Sequence, residues 1–262
     1  MKDLWKNLDK ITIFLKKSPI KILMLDFDGT LSRIVKSPQE AVLSTETKNL
    51  LKNLSRKKGF YIVIISGRNL KDLKAKINIK NIIYAGNHGL EGEIFHKKYS
   101  FLIPDKMSEA VRNIRGQLDK IAGQFSGVFI EDKGLILSFH YRLANKKQLP
   151  EIKLLLKKIL KSYVENKLIS IIAGKMVFDI KPKVNWNKGS FAKLAINKIN
   201  LRIKKMPVTI FIGDDATDLD AFRALKKDIT IQVGVDYRSS AKYWLNDTED
   251  VFRFLEWINE KA

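Results

Sequence analysis

The chain contains no cysteine. Disulfides, thiolate nucleophiles and thiolate metal sites are therefore excluded. Histidine is almost as scarce. His88, His96 and His140 are the three present, too few for a multi-histidine zinc site, so any metal is expected to be a hard cation with oxygen ligands. No apolar run approaches the roughly 20 residues that a membrane span requires. The opening MKDLWKNLDKITIFLKK is not a secretory signal, because its apolar stretch is short and no small-residue cleavage site follows. A soluble, cytoplasmic protein without membrane contact is expected. A compact basic tract with interleaved aromatics is also missing. The net charge of +21 comes from lysines spread along the whole chain. Nucleic acid is thus not an expected partner, although a diffuse positive field would help attract an anionic substrate.

What is present is a soluble globular composition, 45% hydrophobic and 29% charged over 262 residues, enough for one large domain or two small ones. The most informative stretch is LMLDFDGTL, residues 23–31. An apolar run over 20–25 predicts a buried strand. It ends on Asp26 and Asp28, then Gly29 and Thr30 turn the chain. Residues i and i+2 of an extended segment point the same way, so both acids can face one point at a strand's carboxyl end. Two like charges held together call for a positive partner, and a metal ion would serve. An acidic turn after a strand would look the same in isolation.

The rest of the chain repeats this arrangement. A helix is predicted over 2–17, and another over 45–57 with Ser44 as its N-cap. A strand over 60–65 ends in Ser66-Gly67-Arg68, a strand-to-helix turn able to offer N–H groups and a hydroxyl to phosphate. A third strand, over 82–85, runs into Gly86-Asn87-His88-Gly89 and Glu91. From about 103 to 181 the texture changes to helix, hairpin, helix, hairpin, an α+β layer that reads as a separate inserted domain. Its first turn is placed at 131–134, and its last strand carries Lys175, Asp179 and Lys181. The alternating pattern resumes at Asn187-Lys188-Gly189, where a lysine opens a helix against the helix dipole, which makes sense if an anion occupies that place. A strand over 208–212 ends in GDDATDLD, which brings Asp214, Asp215 and Asp218 to another strand terminus. A final strand over 229–235 and a helix over 249–260 complete the chain.

The four polar strand-ends, in order and type, resemble the motifs of the haloacid dehalogenase (HAD) superfamily of phosphotransferases. LDFDGTLSRIVKSP, IISGR, AGNHGLE, NKG and GDDATDLDAF are similar, more narrowly, to trehalose-6-phosphate phosphatases, over most of the chain. The resemblance implies an α/β fold: a Rossmann-like core with a parallel sheet (1–102 and 184–262) and an inserted α+β cap of the C2 type (103–183). It implies Asp26 as nucleophile and Asp28 as acid/base. Mg²⁺ would be held by Asp26, the Asp28 carbonyl and Asp214, with Asp215 and Asp218 behind them. Lys188, Ser66 and Gly67 would bind phosphate. Arg68, His88, Gly89, Glu91, Lys175, Asp179 and Lys181 become sugar-binding candidates. The implied reaction is hydrolysis of trehalose 6-phosphate, by a protein expected to be monomeric. Alternatives are another sugar phosphate (sucrose phosphate or mannosylglycerate phosphate) or a non-catalytic sugar-phosphate-binding regulator. The chain departs from the family pattern at Asn87, Asp179, Lys181 and Leu219, where Ser, Glu, Arg and Glu are usual.

Overall fold

The computed structural model describes every residue except 36, 175, 236–238 and 262. In chain order the first elements are β1 (Lys2–Asp3), α1 (Leu8–Leu15), β2 (Lys21–Leu25), α2 (Thr45–Leu54), β3 (Phe60–Ile65), α3 (Leu70–Ile77), β4 (Ile83–Gly86), β5 (Glu91–Ile94) and β6 (Lys97–Ser100). Next come α4 (Asp105–Ala122), β7 (Phe129–Asp132), β8 (Leu137–His140), α5 (Leu149–Glu165), β9 (Ile169–Gly174) and β10 (Val177–Pro182). The last are α6 (Lys188–Ile203), β11 (Val208–Gly213), α7 (Asp218–Ala224), β12 (Ile229–Val233), β13 (Tyr243–Leu245) and α8 (Thr248–Lys261). The chain divides into two units, Met1–Ser100 with Trp186–Ala262, and Phe101–Asn185.

The first unit is built on a nine-stranded sheet of order β1-β13-β12-β11-β2-β3-β4-β5-β6. Pairing is parallel from β1 to β4 and antiparallel at β4·β5 and β5·β6. Strand alternation explains why the central runs are apolar throughout. Leu23, Leu25, Ile62, Ile64, Ile210 and Ile212 point to one face, where α1, α2, α3 and α8 supply Ile11, Leu51, Leu73 and Phe254. Ile22, Met24, Val63, Ile65 and Phe211 point to the other, against Phe191, Ala195 and Phe222 of α6 and α7. The strand order runs outward in both directions from the β2/β11 pair. The carboxyl ends of those two strands therefore form the crevice in which open α/β sheets place ligands.

The second unit is a four-stranded antiparallel sheet, β7-β8-β10-β9. Leu137, Phe139 and Ile180 on one face pack against Ile114 and Leu118 of α4 and Ile152 and Leu156 of α5. Among the described residues no helix is long and apolar enough to cross a membrane.

Three local expectations are corrected. The predicted helix over 2–17 is shortened: Lys2 and Asp3 pair with Tyr243 and Trp244 as an edge strand, a 3-10 turn follows at Trp5–Asn7, and the α-helix runs over Leu8–Leu15. The first cap turn is not 131–134: Glu131 and Asp132 pair with Ser138 and Leu137, so the turn lies after them. The strand predicted over 229–235 stops at Val233, and β13 follows it.

Candidate active site

The site grows from the β2 terminus. The Asp26 N–H donates to the Ile212 carbonyl, which extends the β2·β11 ladder one residue and fixes the acid beside the β11 loop. Gly29 has a φ of 85°, and a β-carbon there would collide with the Asp214 carboxylate. Glycine is required both for the turn and for the close approach of the two strand-ends. Asp26 is buried, and Asp28 beyond it is half-exposed.

Lys188 is the first residue of α6, placed by Asn187, whose side chain accepts from the Ser190 N–H. Its ammonium is almost fully buried and donates to Asp26 Oδ1 and Asp218 Oδ1, each at 2.8 Å. Asp218 Oδ2 accepts the N–H groups of Asp214 and Asp215 at 3.1 Å, so this carboxylate ties the lysine to the β11 loop. Asp215 Oδ1 accepts from Thr217 N and Oγ1, and Gln232 Nε2 donates to the Asp214 carbonyl at 2.8 Å. Burial works against the Lys188 charge, but Asp218 and Asp26 outweigh it and hold the ammonium well above the ordinary lysine range. Burial, opposed by Lys188 and reinforced by Asp214 and Asp215, pushes the Asp26 carboxyl up to about 7. Burial also raises Asp218, whereas at Asp215 the Lys188 charge and the Thr217 hydrogen bonds overcome burial and lower it.

Carboxylate oxygens of Asp26, Asp214 and Asp218 lie within 4.8 Å of one another. This donor set fits a hard divalent cation. Asp218 already spends both oxygens on Lys188 and two backbone N–H groups, which leaves Asp26 and Asp214 as the better ligands.

The second strand-end, after β3, carries Ser66, Gly67 and Arg68. Ser66 Oγ accepts the Arg68 N–H at 3.2 Å, a bond that uses a lone pair of the hydroxyl and not its proton. A β-carbon on Gly67 would stand 2.7 Å from the His88 ring, which places His88 against this strand-to-helix turn. Arg68 is buried and reaches Asp28, Asp72 and the Pro38 carbonyl. Burial disfavours its charge, but the bonds to Asp28 and Asp72 prevail and raise its pKa. Gly89 sits under Phe191, and its carbonyl accepts Trp186 Nε1 at 2.7 Å. Glu91 Oε1 accepts from the Leu70 N–H and from Asn87 Nδ2, so it finishes the N-terminus of α3.

Of the sugar-binding candidates, Asp179 and Lys181 belong to the second unit, and Lys175 lies outside the described residues. On the sheet face away from α4 and α5, Asp179 accepts from Ser138 Oγ and lies 3.6 Å from Lys133 Nζ. Lys133 also approaches Glu131, and His140 Nε2 lies 2.9 Å from Glu131 and stacks on Phe129. Glu131, Lys133, Ser138 and His140 are not among the residues expected from the sequence. Ser138 and His140 alternate with buried Leu137 and Phe139 along β8, which was the available signal for this face.

Residues 24–249 match the family model described as trehalose-phosphatase. Trehalose-phosphate phosphatase B of Arabidopsis thaliana is 30% identical over 258 residues, covering 91% of this chain and 66% of that protein. The chain thus spans about two thirds of the length of this curated relative. The solved C-terminal domain of the C. albicans trehalose-6-phosphate phosphatase superposes with a TM-score of 0.85 at 24% identity, covering 98% of both chains. A haloacid dehalogenase-like hydrolase from Bacteroides thetaiotaomicron shares the fold, with a TM-score of 0.63 at 15% identity over 91% of this chain and 99% of that one. The fold is that of the HAD hydrolases, and the chain belongs to the trehalose-phosphatase family.

Proposed function

We propose that the protein is a Mg²⁺-dependent phosphatase that hydrolyses trehalose 6-phosphate to trehalose and phosphate. The observation that carries this reading is the buried Asp26–Lys188–Asp218 array beside Asp214, at the carboxyl ends of two adjacent parallel strands. A carboxylate held there beside one ammonium is a nucleophile whose charge is already partly balanced. Asp26 attacks phosphorus and forms an aspartyl phosphate, while Asp28 gives its proton to the departing sugar oxygen. Asp28 then takes a proton from water, the water oxygen attacks the aspartyl phosphate, and Asp26 is released as carboxylate with inorganic phosphate. Lys188 balances the charge that builds on the transferred group, and the Ser66 hydroxyl and Gly67 N–H hold phosphoryl oxygens. Asp26, Asp214 and the Asp28 carbonyl would hold Mg²⁺, which when bound neutralises phosphate oxygens next to the carboxylates. The polar sheet face of the second unit, with Glu131, Lys133, Asp179 and Lys181, offers donors and acceptors suited to sugar hydroxyls.

The test is phosphate release from a panel of sugar phosphates, with and without a chelator, by wild type and Asp26→Asn. Trehalose 6-phosphate is expected to be the best substrate, with turnover lost on chelation and in the variant while the melting temperature is kept. Chelator-resistant turnover, or an undiminished rate in Asp26→Asn, would overturn the mechanism. A different preferred ester would overturn the substrate.

A further inference from the structure

Asp28 must point at two different oxygens in succession, the leaving group's and then water's, yet its own side chain is 42% exposed and has little packing to hold it. Its orientation comes from elsewhere. Arg68 Nε donates to Asp28 Oδ2 at 2.8 Å and Nη2 to Asp28 Oδ1 at 2.7 Å, a fork that fixes the carboxylate plane. Arg68 itself is 6% exposed and cannot wander. Its Nη1 donates to Asp72 on α3 at 2.7 Å, its Nη2 to the Pro38 carbonyl at 2.8 Å, and its guanidinium lies 5.2 Å over the Phe27 ring. Among the described residues, Asp28 takes its hydrogen bonds from Arg68. These four bonds leave the guanidinium a single Nη1 N–H to offer. That is poor provision for a sugar-binding group and good provision for an anchored clamp.

We infer that Arg68 is a positioning residue for the acid/base Asp28 rather than a ligand of the sugar. The inference rests on the phosphatase reading above. The guanidinium borrows rigidity from α3, from the 38–40 turn and from Phe27, and passes it to a carboxylate that lacks its own. Each carboxylate oxygen keeps a second lone pair for the proton it must deliver or take. Lysine would not substitute, because a point charge cannot hold the plane of a carboxylate. The same guanidinium also ties the loop after β2 to the end of β3, so that loop and acid/base are held together.

The experiment is a double-mutant cycle with Arg68→Gln, Arg68→Lys and Asp28→Asn, using wild type as the reference. Turnover is read on a sugar phosphate, whose leaving alkoxide needs a proton, and on an aryl phosphate, whose leaving group does not. Both single Arg68 variants should lower kcat for the sugar phosphate by about 10- to 100-fold, with KM changed by less than about threefold. In the phosphorylation half-reaction, read as a burst, the aryl phosphate should be nearly unaffected. In the Asp28→Asn background the Arg68 change should add less than about a twofold loss. Melting temperatures should be non-additive in the same cycle, a readout that needs no turnover. A raised KM with unchanged kcat, or losses that multiply in the double variant, would overturn this role alone. A wild type inert toward every ester would overturn the phosphatase reading and this role with it.

Discussion

At the scale of single residues, Lys188 carries the heaviest duty, because two buried carboxylates share its one ammonium. Lys188→Ala leaves Asp26 and Asp218 facing each other without compensation, a loss of about 3–5 kcal/mol at neutral pH by the measure of broken buried pairs. The pH dependence has a definite sign. The Asp26 carboxyl stands at about 7 in the folded protein, above its unfolded value of roughly 3.9. A carboxyl raised in this way takes up protons more readily when folded, so its contribution to stability is full at low pH and is lost as pH rises through the folded value. Without Lys188 both acids rise further. Metal-free Lys188→Ala should therefore be closer to wild type in urea unfolding at pH 5 than at pH 8. An equal deficit at both values would mean that the lysine acts through packing instead of charge. This residue was legible in the sequence because a lysine opening a helix contradicts the dipole, and such a contradiction asks for an anion. Arg68 was legible as a site candidate, but its bonding to Asp28 was not. The fork onto Asp28 joins residues 40 apart, and no local pattern encodes that pairing.

Elements show the same division between what spacing reveals and what only pairing can. The alternating β/α runs on either side of the insert were readable because buried parallel strands are continuous apolar runs. β5, β6 and β13 were not, since Glu91–Ile94, Lys97–Ser100 and Tyr243–Leu245 are short, partly polar, and become strands only by joining neighbours already formed. Glu91 illustrates the consequence. Motif similarity makes it a sugar-binding candidate, yet its Oε1 accepts the Leu70 N–H that α3 leaves unpaired, while Asn69 Oδ1 takes the Asp72 N–H. A helix end with both caps in place also fixes Asp72, and so one anchor of Arg68. Glu91→Ala should cost about 1–2 kcal/mol of stability by loss of this cap and of the Asn87 contact. Its kinetic effect should fall on kcat for every phosphate ester tested. A KM increase confined to the sugar phosphate, with unaltered stability, would return Glu91 to the sugar.

For the whole molecule the controlling quantity is charge. Lysine and arginine number 49 against 28 acids, and the basic residues are spread along the sequence through both units. Within the site the carboxylates outnumber the cations, because Lys188 is shared by Asp26 and Asp218, Arg68 by Asp28 and Asp72, and Asp214 and Asp215 stand beside them. On the proposed phosphatase function, long-range attraction for the phosphate ester is assigned to the lysines outside the site. Such a field raises encounter rates without altering the chemical step, and salt screens it over a Debye length of about 10 Å at 0.1 M. The buried pairs, shielded from solvent, are screened much less. Raising NaCl from about 0.05 to 0.5 M, a range in which screening shortens several-fold, should lower kcat/KM for the sugar phosphate while leaving kcat nearly unchanged. The magnesium concentration is held fixed so that metal binding does not enter. A kcat that falls in parallel with kcat/KM would locate the salt effect in the site. A kcat/KM indifferent to salt would mean that the positive excess plays no part in capturing the substrate.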